Sequence, residues 1–69
     1  MDLVDVILRD VIERENIPDE HQLVFDNIKM ESQFKGVMSF NVTSPQGLYT
    51  LIVEFDIGKG ILDISKKVV

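Results

Sequence analysis

The chain contains no cysteine, which excludes a disulfide framework, a thiolate nucleophile and any metal site built on cysteine. It also has only one histidine, His21. A zinc site would therefore need carboxylates around a single imidazole, which is an unusual ligand set. We expect no metal ion and no cofactor, and we expect His21 to be a solvent-exposed loop residue. The fold must be held together by its apolar core alone.

Basic residues are also few, because 7 Lys and Arg stand against 12 Asp and Glu and give a formal net charge of -5. Such a chain repels a phosphate backbone and an anionic bilayer, so we expect no direct binding to nucleic acid or membrane. The acidity lies in residues 1–35, which hold nine acidic and four basic residues, whereas residues 36–69 hold three of each.

Long apolar runs are missing as well, since no stretch approaches the roughly 18 residues of a membrane span. Asp2 and Asp5 stand where a secretory signal would carry basic residues, so we expect a soluble cytoplasmic protein. The 69 residues allow one small domain, 1–69, and exclude a multi-domain enzyme with a cofactor fold. The 45% hydrophobic content is that of an ordinary globular chain.

An amphipathic helix is predicted over about residues 2–15. Asp2 stands at the N-cap position, and Asn16 and Pro18 form a stop signal because Asn tolerates the left-handed conformation and Pro cannot continue a helix. The apolar residues recur with the helical period and form one continuous stripe: Leu3, Val4, Ile7, Leu8, Val11 and Ile12.

Alternating apolar and polar residues predict strands over 34–43 and 48–57, joined by the turn sequence Ser44-Pro45-Gln46-Gly47. A loop of even length places the apolar residues of both strands on one face and sets Phe40 opposite Leu51.

A further strand over 61–68 follows Gly58-Lys59, which is interpreted as a two-residue hairpin loop. That loop sets Phe55 opposite Leu62 and Val53 opposite Ile64.

Residues 22–31 favour a strand, although a second helix beginning at Pro18 remains an alternative. The predicted fold is therefore α+β, in two layers: an N-terminal amphipathic helix packed on a three- to four-stranded antiparallel meander.

Apolar residues also fall on the predicted outer face of the sheet, the face turned away from the helix. A contiguous apolar patch there would mark an interface with another protein or with a second copy of the chain. The candidate interface residues are Val37, Ile52, Ile61, Leu23 and Phe25.

A second candidate surface is the acidic helix region, which could dock on a basic protein surface or imitate a phosphate backbone. Its residues are Asp5, Asp10, Glu13, Asp19 and Glu20. The predicted register also sets Glu54 opposite Asp63, where two carboxylates could share a divalent cation. No serine lies in a nucleophile-elbow motif.

We therefore predict a non-enzymatic, acidic interaction module that acts as a homodimer, a subunit or a modulator of another protein. One alternative is an acidic inhibitor or decoy of the kind that viruses and mobile elements encode, directed against a basic enzyme surface. The other is a small metal-assisted enzyme that uses Glu54 and Asp63.

Overall fold

The computed structural model describes residues 2–68, so Met1 and Val69, the ends of the predicted domain, lie outside it. The predicted α+β fold is confirmed, and residues 22–30 form a strand and not a second helix. Every element lies within one residue of its predicted bounds. The elements are α1 (Leu3–Arg14), β1 (Gln22–Met30), β2 (Lys35–Ser44), β3 (Gly47–Asp56) and β4 (Gly60–Val68), and the strands form one antiparallel sheet in the order β1-β2-β3-β4.

Both ends of α1 are capped as the sequence predicts. The Asp2 carboxylate accepts a hydrogen bond from the Val4 backbone N–H at 3.2 Å. At the other end Asn16 has a φ of 49°, and the N–H of Ile17 reaches back to the carbonyl of Ile12 at 3.1 Å. This is a Schellman stop, and it turns the chain so that Ile17 packs against the core.

The core lies between α1 and one face of the sheet. Phe40 lies opposite Leu51, and the whole β2–β3 register is the predicted one. The loop between these strands is Pro45-Gln46, closed by the Ser44–Gly47 pair. The core side chains, each no more than 7% exposed, are Ile7, Val11, Met38, Phe40, Val42, Leu51, Val53, Phe55 and Ile61.

The loop between β3 and β4 differs from the prediction. Asp56 pairs with Gly60, so the loop has three residues and not two. The Asp56 carboxylate accepts hydrogen bonds from the N–H groups of Gly58 and Lys59 at 2.8 and 3.0 Å, and Gly60 takes a φ of +88° that favours glycine. These contacts stabilise a loop that shifts the start of β4 by one residue.

A bulge at Leu62 reverses that shift. Ile61 and not Leu62 lies opposite Phe55, whereas Val53 lies opposite Ile64 as predicted. The predicted pairing of Phe55 with Leu62 is therefore wrong, because the odd-length loop and the unpaired Leu62 compensate for each other.

A second bulge lies in β1 at Asp26. Before it, Phe25 pairs with Phe40, and after it Ile28 pairs with Met38. Paired residues point to the same side of a sheet, so the apolar residues of β1 face α1 both before and after the bulge.

A single helix cannot cover this sheet. Four strands at about 4.8 Å spacing make a sheet roughly 19 Å wide, whereas a helix with its side chains is about 10 Å across. Among the strands, α1 approaches β4 most closely. The helix-facing side of β1, at the opposite edge, is therefore left partly uncovered. Within residues 2–68 no helix has the length and apolar character needed to cross a membrane.

Candidate functional site

The predicted outer-face interface is split between the two sides of the sheet. Ile61 is only 7% exposed and belongs to the core. Leu23 pairs with Val42 and Phe25 with Phe40, which places both on the helix-facing side. These three placements were wrong because the sequence pattern does not show the bulges at Leu62 and Asp26, which change the face on which the neighbouring residues fall. Val37 and Ile52 lie on the outer face as expected, and both are half-buried.

The rest of the outer face is largely polar. Thr50 donates a hydrogen bond from its hydroxyl to the side-chain oxygen of Asn41 across β2 and β3 at 3.1 Å. Glu54 does lie opposite Asp63, and both are exposed. In residues 2–68 no group of three or more His, Asp or Glu side chains is placed to hold a metal ion. Two carboxylates offer fewer oxygens than the six to eight that Ca²⁺ takes.

Exposed apolar side chains gather instead on the helix-facing side, beyond the reach of α1. We call this surface the apolar margin. Its residues are between 37 and 60% exposed, and they are Phe25, Ile28, Met30, Phe34 and Ile57.

The sheet register joins these residues into one surface. The ring of Phe25 meets that of Phe40 edge to face, with centroids 6.0 Å apart. Met30 pairs with Gly36, which has no side chain to cover it. Beyond the strands, the N–H of Ile57 donates to the carbonyl of Phe34 at 2.8 Å, which continues the β2–β3 ladder and brings these two residues together at the end of the sheet.

The predicted acidic surface divides between α1 and the loop that follows it. Asp5 and Glu13 are exposed on the helix, and Asp19 and Glu20 are exposed in the loop before β1. Asp10 is half-buried, and its carboxylate lies 3.4 Å from the Arg14 guanidinium. One member of the surface is thus partly neutralised, and four remain exposed to solvent.

His21 is not the exposed loop residue that the sequence predicts. Its side chain is half-buried, and its Nδ1 is shielded from solvent without a hydrogen-bond partner among the described residues. The reason is a turn in which the His21 N–H donates to the Pro18 carbonyl at 3.0 Å and folds the loop against the end of the sheet. Two clefts meet there and share His21, Tyr49 and Lys66. The sequence gave no signal for this cluster, because its members lie in three separate elements.

Comparison of the chain with known protein families, with curated proteins and with solved structures gives no match.

Proposed function

We propose that this chain is a non-enzymatic interaction module that binds another protein through the apolar margin. The observation that carries this proposal is the partial cover of the sheet: one helix lies toward β4, and the apolar side chains along β1 stay exposed. A contiguous apolar surface beside polar residues is typical of a binding site for another protein.

The charge around the margin favours a partner that carries basic residues beside its apolar ones. The segment from the loop before β1 to the start of β2 holds more acidic than basic residues: Asp19, Glu20, Asp26 and Glu31 against Lys29 and Lys35. A second copy would bring the same excess of acid to the interface, and two chains of net charge -5 repel each other. We therefore favour a different protein over a homodimer, with the module acting as a subunit or modulator.

Binding through the face of the sheet fits better than strand addition at its edge. The edge strand β1 is interrupted by the bulge at Asp26, and the other edge strand, β4, carries the bulge at Leu62 together with Lys66 and Lys67. Bulges and lysines on edge strands oppose pairing with a further strand.

The test is a pair of substitutions on β1. Ile28→Ser removes an apolar side chain from the margin, and Val24→Ser removes one of similar size from the outer face, where Val24 is 59% exposed. We expect Ile28→Ser to weaken capture of the partner at least tenfold and Val24→Ser to leave it within about twofold, since a buried apolar side chain contributes about 1.5–3 kcal/mol at an interface.

The measurement is quantitative capture from lysate on the wild type and both variants, with circular dichroism to show that each variant is folded. Light scattering on the purified chain identifies self-association, in which case the occupant of the margin is a second copy. Equal capture by wild type and Ile28→Ser would contradict the proposal.

The exposed carboxylates of Asp5, Glu13, Asp19 and Glu20 support a second proposal, in which the chain is an acidic inhibitor or decoy bound to a basic enzyme surface. The two proposals differ in their response to salt. Binding through exposed carboxylates weakens steeply as salt screens it, whereas apolar binding persists at high salt. Under either proposal we expect the chain to act in the cytoplasm.

A further inference from the structure

Two clefts lie at the end of the sheet beside the C-terminal end of α1. They have volumes of about 360 and 270 Å³ and share His21, Tyr49 and Lys66. The larger cleft is completed by Ser44, Gln46, Gly47, Leu48 and Val68, and the smaller one by Glu15, Asn16, Ile17, Pro18 and Leu51. None of these residues belongs to the apolar margin.

Lys66 is held in the clefts by its place in β4. It pairs with Leu51, a core residue, so it lies on the helix-facing side of the sheet. Its Nζ stands 4.3 Å from the centre of the Tyr49 ring, and a cation over an aromatic face is attracted to it. The charge is thereby fixed at the mouth of a cleft and does not sweep freely through solvent.

His21 adds a second donor. Its Nδ1 is shielded from solvent and has no partner within residues 2–68, and a buried N–H without an acceptor is costly. The neutral ring therefore favours its proton on Nε2, the nitrogen left to face the clefts. Nε2–H, the Lys66 ammonium and the Tyr49 hydroxyl are all able to donate, which suits a ligand that only accepts.

The two clefts differ in charge. The smaller one includes the Glu15 carboxylate, which opposes an anion, whereas no acidic side chain lines the larger one. The larger cleft also has apolar walls, Leu48 and Val68, and its Ser44 hydroxyl is already used as a donor to the Gly47 carbonyl at 2.9 Å. One lysine and one neutral imidazole match a single negative charge better than the double charge of a phosphate.

From this arrangement we propose that the larger cleft binds a small organic carboxylate. The carboxylate group accepts hydrogen bonds from Lys66 and His21, and the apolar body of the ligand lies against Leu48 and Val68. The site is separate from the apolar margin, so it holds or fails independently of the proposed protein partner.

The test uses benzoate as the probe and benzamide as its neutral analogue, at constant ionic strength, with ¹H–¹⁵N NMR on the full chain. Benzoate is expected to give saturable shifts in the amides of residues 44–49 and 66–68, and benzamide at least fivefold weaker ones. Lys66→Met should weaken benzoate at least fivefold. Lys67→Met removes the same charge from the outer face, opposite Thr50, and should change the affinity less than twofold.

Four results would overturn the proposal. They are the absence of saturable shifts with benzoate, equal binding of benzamide, equal losses in Lys66→Met and Lys67→Met, and inorganic phosphate binding as tightly as benzoate. The third result would mean that Lys66 acts only through the overall charge of the chain, and the fourth would indicate a general anion site.

Discussion

Gly36 is buried in β2 at a point where the surrounding atoms leave no space for a side chain. A Cβ there would lie 2.7 Å from the Met30 sulfur, 2.9 Å from Cζ of Phe55 and 3.0 Å from the Lys29 carbonyl oxygen. Met30 is partly exposed and can move, but Phe55 is fully buried and the Lys29 carbonyl belongs to the backbone. The close packing of β1 on β2 therefore depends on this glycine.

We expect Gly36→Ala to lower the free energy of unfolding by about 1–3 kcal/mol through overpacking. Urea unfolding measures this change. Gly58→Ala is the matched control, because a Cβ at Gly58 meets only the Asp56 carboxylate oxygen at 3.4 Å. An equal loss in both variants would show that the effect comes from glycine replacement in general and not from the contacts around Gly36.

The bulge in β4 makes a prediction at the scale of one element. Removing Leu62 leaves Ile61 opposite Phe55 and lets Asp63 and the residues after it keep their present partners. The strand loses its unpaired residue and no residue changes face. We expect the deletion to preserve the fold at a cost of at most about 2 kcal/mol, and circular dichroism with thermal unfolding checks it.

Deleting Ser39 is the contrasting change. Ser39 lies in β2, with partners on both β1 and β3, so its removal shifts the register and turns core residues such as Phe40 to the outer face. We expect that variant to be unfolded. Survival of the Ser39 deletion, or collapse of the Leu62 deletion, would mean that the register is not specified as we infer.

The bulges also mark how far the sequence could predict the elements. Binary alternation correctly predicted the β2–β3 register, because Phe40 and Leu51 sit in strands without interruption. In β1 the apolar positions change parity between Phe25 and Ile28, which is the signature of an extra residue. A period-two pattern assigns a face only until such a residue intervenes, and for this reason Leu23, Phe25 and Ile61 were assigned to the wrong side.

The candidate sites were less predictable, since each depends on tertiary placement. Exposure along β1 follows from where α1 lies across the sheet, and nothing local to Phe25 or Ile28 encodes it. Lys66 comes near His21 only after the loop has folded against the sheet. Sequence reasoning anticipated an interaction surface as a class but misplaced most of its residues.

At the scale of the whole molecule, the charge of -5 affects stability. In the described residues one salt bridge is formed, Asp10 to Arg14, so few attractive pairs offset the repulsion among the acidic residues. Salt screens repulsion and attraction alike, and here the repulsion is the larger of the two. We expect Tm to rise by a few degrees between about 10 mM and about 300 mM NaCl, measured by calorimetry. A fall in Tm would show that attractive pairs dominate.

The order of the strands has a consequence for the route of folding. Because spatial order follows chain order, each strand pairing is a hairpin closed by a short loop, and such pairings form quickly. The exception is α1, whose nearest strand, β4, is the most distant from it along the chain. We therefore expect the meander to assemble first and the helix to dock in a later step, so that the element written first in the sequence completes the core last.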